Sequence, residues 1–304
     1  MATGFGGLDD FAFVDDELPA PGPGDVTIEV RAAGVNPADL KHAMRGGDPS
    51  TLPLPIGYEV AGMIAAVGAN AGFTVGQEVL AFRVSGGYAT ALNVPAGKVF
   101  LKPPSLSWAV ASNLLLAGCT ASEMLHTSGA RTGDAVVLHG ASGAVGVAAL
   151  QLARRLGVTV VGTCGPSTVD HVLEFGGVPV LYGPGVLDRL REVLPADGVV
   201  AALDAAGTDE AVDASLALVA DRSRIITVAN PKRAKQDGFI ALAGSAPESA
   251  RYRDSVRSEL VELAGAGDLV VPIARTYPLG DAREALAYVA AGHAGGKVAL
   301  IPAS

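Results

Sequence analysis

Between Val136 and Gly162 the chain reads VVLHGASGAVGVAALQLARRLGVTVVG, a stretch whose residue types and spacing could bind a dinucleotide. A β-branched run ends in Gly140-x-x-Gly143-x-x-Gly146, an apolar-faced helical stretch follows, and a second β-branched run closes the unit. Strand, glycine turn, helix and strand in that order are what a dinucleotide site requires. Gly140 would allow the tight turn, Gly143 would let the backbone approach a pyrophosphate, and Gly146 would let the helix settle on the sheet. With Ser142, Ala144 and Val145 these glycines would present unpaired N–H groups to the pyrophosphate at the helix start. The bland alternative is a turn that binds nothing. The strand-helix-strand setting favours the first reading.

The end of the second strand bears on which dinucleotide. An NAD site usually carries Asp or Glu there, to bond the ribose hydroxyls. Here the sequence is VVGTCGPST, with no acid before Asp170, which leaves room for a 2′-phosphate and favours NADP(H). Ser167, Thr168 and Tyr182, with His293 or Lys297, are the candidate donors around it, and Thr163 is a further cofactor-binding candidate. Arg154 and Arg155 fall in the glycine-linked helix and would solvate its outer face.

The elements that must position this turn follow from periodicity. From residue 135 onward strands at 135–139, 158–162, 178–182, 199–203, 224–229 and 238–243 alternate with helices at 145–156, 168–175, 186–193, 209–220 and 249–266. That alternation predicts a mainly parallel sheet covered by helices. Residues 1–116 read differently, as short β-rich runs at 25–32, 59–67 and 77–82 separated by Pro-Gly, Gly-Ala-Asn and Ser-Gly-Gly turn signals. A helix is expected over 107–125. The tail from 270 reverts to strand-like segments around a helix at 281–291, so it is expected to rejoin the first module.

Composition limits the function classes. The 304 residues are 49% hydrophobic with 39 glycines and 19 prolines, as in a packed, turn-rich enzyme of two domains. The net charge of -9 does not suggest a nucleic-acid partner. No apolar run reaches the length of a membrane helix, and no secretory signal is legible at the start. Cys119 and Cys164 are the only cysteines, too few for a disulfide framework or a cysteine-built zinc site. A cytoplasmic location is the default expectation. The histidines at 42, 126, 139, 171 and 293 are scattered without ligand spacing.

Several local matches, taken in order, carry a family resemblance: AAGVNPADLK at 32–41, PIGYEVAGMIAAVG at 55–68, GGYAT at 86–90, AGCTASEML at 117–125, HGASGAVG at 139–146 and GHAGGKVALIP at 292–302. The chain resembles the zinc-free quinone oxidoreductases of the medium-chain dehydrogenase/reductase superfamily. The resemblance implies an α/β fold: a GroES-like β-rich catalytic domain at 1–116 and 267–304, and a Rossmann-like doubly wound parallel-sheet NADP(H)-binding domain at 117–266. It also implies a homodimer and a small hydrophobic quinone or enone substrate. Where zinc-dependent relatives have Gly-His-Glu, this chain has Gly57-Tyr58-Glu59, so no metal is expected. Without a metal to polarise an alcohol, reduction of a conjugated acceptor is the easier reaction. The start departs from the family pattern, because only a few residues precede Gly6-Gly7 where members have a full strand.

By this resemblance Asn36, in the GVN-x-x-D motif, faces the nicotinamide end of the cleft; residue chemistry alone makes it a turn residue before Pro37. Asp39 is read as a cap of the short helix that follows. Lys41 could stabilise a developing anion or sit in solvent. Tyr58 could offer a phenol to the cleft or line a strand. Thr120 matches the family's nicotinamide-facing threonine, although a helical threonine can bond its own preceding carbonyl. Asn230 could border the nicotinamide or cap the turn at Pro231, and Asp204 could serve only its turn. Positioning and direct hydride transfer, with the later proton from solvent, are therefore expected rather than acid/base catalysis by a strong general acid. The rival readings are an enone or enoyl-thioester reductase of specialised metabolism, and an NADPH-binding redox sensor or structural protein without turnover. The loop at 43–53 is expected to line the entrance.

Overall fold

The computed structural model describes residues 1–44, 46–292 and 295–303. His293, one of the candidate phosphate donors, lies outside the described residues. The chain divides into two units: Met1–Leu116 with Val261–Gly267 and Val271–Ser304, and Ala117–Leu260 with Asp268–Val270. In chain order the first stretch forms β1 (Asp25–Val35), α1 (Pro37–Met44), β2 (Glu59–Val67), β3 (Glu78–Phe82), β4 (Ala91–Pro95), β5 (Val99–Leu101) and α2 (Trp108–Ala111). The middle forms α3 (Leu115–Ser128), β6 (Ala135–His139), α4 (Ala144–Leu156), β7 (Thr159–Cys164), α5 (Val169–Glu174), β8 (Val178–Leu181), α6 (Val186–Val193), β9 (Ala201–Asp204) and α7 (Asp209–Leu218). It continues through β10 (Ile225–Thr227), α8 (Pro231–Asp237), β11 (Ile240–Ala241) and α9 (Pro247–Ala266), and the tail adds β12 (Ile273–Pro278), α10 (Ala282–Ala290) and β13 (Lys297–Ile301).

In the first unit the described strands form one sheet in the order β12-β13-β1-β2-β3-β5, with β4 also on β1. β1 is its hub. Asp25–Glu29 pair with β4, while Ala33–Val35 pair with β13, and β2 runs antiparallel along most of its length. Register shifts at Thr27/Ile28 and Val30/Ala32 mark where β1 bends between those partners. Its buried Val26, Ile28, Val30 and Val35 pack with Val60, Ile64, Val79, Val94, Val298 and Leu300. The well-packed end of β1 then delivers Asn36 to the start of α1. At the N-terminus Ala2 is fully buried and makes isolated bridges to Phe11 and Leu54.

In the second unit the sheet order is β11-β10-β9-β6-β7-β8, every pair parallel. The direction of winding reverses between β6 and β9, and ligands of such sheets bind beyond the carboxyl ends of the strands at that reversal. Val137, Val161 and Val180 pack against Val186 and Leu190 of α6 and Ala214 of α7. The β-branched runs read from the sequence are thus the covered strands of a doubly wound sheet.

Two local expectations need correction. The single helix at 107–125 is broken into α2 and α3. Ser112 Oγ and Asn113 Nδ2 both donate to the Ala109 carbonyl, at 3.2 and 2.9 Å, and so compete with the helix for its backbone. The strand expected at 238–243 shrinks to Ile240–Ala241, because Gly238, at φ +76°, and Phe239 close α8 by donating to the Ala234 carbonyl. That helix, with Pro231 in its first turn, was not anticipated, nor were the short strands β4 and β5.

Candidate active site

The glycine turn has the geometry its spacing predicts. Gly140 sits at φ +78°, in the left-handed region that a side chain rarely adopts. A Cβ on Gly146 would run into the carbonyl oxygens of Gly140 and Ala141, so helix and turn can close only on glycine. Gly143 is different. It is exposed, and a Cβ there would meet nothing nearer than the Gly140 oxygen at 3.4 Å. The protein's own packing therefore leaves the space over Gly143 open.

Gly143 is also the N-cap of α4 and has no side chain to cap it. The first bond into the helix runs from Val147 N to the Gly143 carbonyl at 2.8 Å, which leaves the N–H groups of Ala144, Val145 and Gly146 for an outside acceptor. A pyrophosphate fits that set: an uncapped helix start, an open approach and a favourable dipole.

Beneath the turn a row of polar side chains crosses four strand ends. Register places His139 of β6 opposite Thr163 of β7 and Asp204 of β9, and Asp204 opposite Thr227 of β10. All four are 2% exposed or less. Thr163 Oγ1 accepts the Gly140 N–H at 3.3 Å and lies 3.3 Å from His139 Nδ1. Asp204 accepts from the N–H groups of Ala206 and Gly207 at 3.0 and 2.7 Å and from Thr227 Oγ1 at 2.7 Å. Thr227 Oγ1 in turn accepts the N–H groups of Ala229 and Asn230, both at 3.0 Å. Burial pushes His139 down to about 4, against the opposing pull of Asp204, so the imidazole is neutral at physiological pH.

These contacts sort the cofactor candidates. Thr163 is turned inward as a brace of the glycine turn. Asn230 is the N-cap of α8, accepting the Arg233 N–H at 3.1 Å and donating to the Gly207 carbonyl at 2.9 Å. It therefore ties the β9 and β10 turns together and borders a polar cavity of about 610 Å³ lined also by Gly207, Thr208, Asp209, Lys232 and Arg233. Ser167 is exposed, Thr168 bonds the Gly165 carbonyl at 3.2 Å, and Tyr182 is 47% exposed with its ring beside Gly165. Ser142, Ala144 and Val145 are half-buried around the turn.

In the first unit one catalytic candidate, Asn36, joins a cluster that the sequence did not reveal. Asn36 is 1% exposed; its Nδ2 donates to Glu59 Oε1 at 3.0 Å, and its Oδ1 accepts from the Lys297 ammonium. Lys297 also pairs with Glu59 at 3.1 Å, and Glu59 Oε2 accepts the Leu116 N–H at 3.0 Å. Lys297 is thus a buried internal cation at the start of β13, which corrects its expected place as a donor to the cofactor phosphate. The Asn36 carboxamide is likewise committed to Glu59 and Lys297, not open to an acceptor.

Asp39 lies at the third position of α1 and not ahead of it; it reaches back to the Asn36 N–H at 2.8 Å and also accepts the Tyr88 hydroxyl at 2.8 Å. Lys41 is exposed on α1, and Tyr58 is half-buried with its ring stacked on His42 at 5.6 Å and 18°. Thr120 is buried in α3, in the second unit. Residues 36, 59, 88 and 297 are too far apart in the chain for any local spacing to join them. Buried acidic and basic residues inside β-rich runs, Glu59 and Lys297, were the only available signal.

Among the described residues no group of three or more His, Cys, Asp or Glu side chains could hold a metal ion.

Comparison with known proteins agrees with this architecture. Residues 22–104 match the alcohol dehydrogenase GroES-like domain, and residues 155–300 match the zinc-binding dehydrogenase domain. A 2-haloacrylate reductase from Burkholderia sp is 30% identical over 98% of this chain and 96% of its own length. The solved quinone oxidoreductase of Pseudomonas syringae pv. Tomato is 27% identical with a TM-score of 0.86, covering 99% of this chain and 98% of that one. Mycobacterial Rv1454c complexed with NADPH is 28% identical with a TM-score of 0.84, at the same coverage. The match to the mouse synaptic vesicle membrane protein VAT-1 homolog, 37% identical over 68% of this chain, spans only 53% of that relative. From the two-domain fold, the glycine turn and these likenesses together, the chain belongs to the zinc-independent quinone oxidoreductase branch of the medium-chain dehydrogenase/reductase superfamily.

Proposed function

We propose that this protein is an NADPH-dependent reductase that delivers hydride to a quinone or a related conjugated acceptor. The observation that carries the reading is the turn at Gly140–Gly146, whose open Gly143 and uncapped helix start suit a pyrophosphate. The run from Thr163 to Thr168, free of acids, leaves room for a 2′-phosphate, and the solved relative with NADPH is in keeping with that choice. When bound, NADPH would supply the hydride. The chain's part is to hold the pyrophosphate at Gly143–Gly146, with the Thr163–His139–Asp204–Thr227 row keeping the turn in shape.

In the first unit, Tyr58 stacked on His42 offers an aromatic surface for a planar acceptor, and the exposed Lys41 ammonium could answer negative charge on its oxygen. Thr120 is proposed to border the nicotinamide. Asn36 shapes the corner from within. The 2-haloacrylate reductase at 30% identity favours a second reading, in which the acceptor is an activated carbon–carbon double bond. No helix of the described residues is long and apolar enough to cross a membrane. Both cysteines are free thiols, in keeping with a proposed cytoplasmic location. A homodimer paired through the β11 edge is proposed as well, because β11 ends the strand order of its sheet. Sedimentation across a concentration range should then show a dimer.

Anaerobic mixing with NADPH and a panel of quinones, alkenals and cyclic enones tests the function. Cofactor oxidation matched to identified product is expected for at least one class, ranked by kcat/KM. NADPH left unoxidised by every acceptor would overturn the proposal.

A further inference from the structure

The cluster around Asn36 holds an unequal number of charges. Asp39 and Glu59 bring two carboxyl groups, Lys297 brings one ammonium, and all three residues are at most 5% exposed. Glu59 has the ammonium at 3.1 Å and two further donors, the Asn36 carboxamide and the Leu116 N–H. Asp39 has neither a cation in contact nor enough donors. Its Oδ2 accepts from Tyr88 and the Asn36 N–H, while its Oδ1 is buried with no partner. A second full negative charge there would be buried beside Glu59 with half its lone pairs unsatisfied, an arrangement that costs free energy.

We propose that Asp39 is a positioning residue that works as a neutral carboxylic acid, its proton on Oδ1, and that its ionisation loosens the corner where Asn36 starts α1. The inference rests on the proposed reductase reading only in its kinetic consequence. With the proton in place, Oδ2 still accepts both donors and the cluster balances as one carboxylate against one ammonium. Burial favours the neutral acid most strongly and Glu59 of β2 adds to it. The Tyr88 hydroxyl, the Asn36 N–H and Lys297 of β13 oppose it, leaving the carboxyl raised to about 7. Tyr88 is itself pushed well above its usual range by burial and by Asp39, so it stays a donor.

Asp39→Asn keeps the shape and fixes the neutral form. The thermal midpoint of the wild type relative to this variant is expected to fall as pH rises from about 4 to about 7, and then to level. In the wild type, kcat/KM for a quinone is expected to fall severalfold through the same upper limit, through kcat more than KM, while the variant stays flat. Carbon-13 labelling of the aspartates should show one carboxyl titrating near 7, moved to higher pH by Tyr88→Phe, which removes a donor to the charged form. Parallel stability profiles for wild type and variant, or no carboxyl titrating near neutrality, would overturn the protonation. A titrating Asp39 with identical kinetic pH profiles would overturn its positioning role. Absence of turnover with every acceptor would instead sink the reductase reading, and the stability and carbon-13 measurements would still decide the protonation. If the asparagine variant does not fold, the wild-type titration and its Tyr88→Phe shift decide alone.

Discussion

Two buried polar assemblies, one in each unit, are built on opposite principles. The row Thr163–His139–Asp204–Thr227 lies on adjacent parallel strands in register, and most of its partners are backbone N–H groups and hydroxyls. The cluster Asn36–Asp39–Glu59–Tyr88–Lys297 links side chains from separate elements to one another, with a single ammonium among them. Burial neutralises a titratable group in each, a base in the first and an acid in the second. The difference teaches that the same desolvation gives opposite pH dependence. His139, lowered from 6.5 to about 4, costs stability as pH falls through that window, because the unfolded chain binds the extra proton. Asp39, raised from 3.8 to about 7, costs stability as pH rises through its own, because the folded chain holds the extra proton.

The largest break in this comparison is Lys297→Met. It strands Glu59 as a buried charge, and unfolding in denaturant is expected to show a loss of about 3–5 kcal/mol. Adding Glu59→Gln should return much of it, since the two residues share one interaction. Purely additive losses would show that the pair is not a unit.

The next effect separates two glycines of one turn. Gly146→Ala drives a methyl group into backbone carbonyls and should cost about 1–3 kcal/mol. Gly143→Ala enters open space and should change stability by less than about 1 kcal/mol. Equal costs in urea would remove the distinction between a structural and a ligand-facing glycine.

A finer test sharpens the pH contrast. His139→Gln should flatten the acid side of the stability profile below about 6, leaving the neutral side to Asp39. Thermal midpoints across pH 4–8 measure both. An unchanged acid slope in the variant would break the assignment. Smallest of all, Arg155→Ala removes an ion pair with Asp268, the two side chains 46% and 54% exposed, outside both assemblies. It should move stability by less than about 0.5 kcal/mol. A larger loss would mean that exposed charges, and not only buried ones, hold this fold.

The two assemblies also differ in how far the sequence disclosed them. The glycine turn is local: seven residues fix the spacing, and the β-branched runs beside it announce the strands they become. The parallel sheet was legible for the same reason, though its strand order was not. The inward turn of Lys297 was not legible because side-chain direction depends on register, which period alone does not supply. The commitment of Asn36 to Glu59 and Lys297 was not legible because both partners arrive from other strands. Helix α8 was hidden in PKRAKQD, too short and too polar to show an apolar face.

The central claim is that the space over Gly143 receives the cofactor's pyrophosphate. Titrating NADPH and NADH into the wild type and into Gly143→Val, with thermal midpoints taken in parallel, tests it most directly. The account predicts tighter NADPH than NADH binding in the wild type, and at least tenfold weaker binding of both in a variant that remains folded. Unchanged cofactor affinity in the folded variant would contradict it.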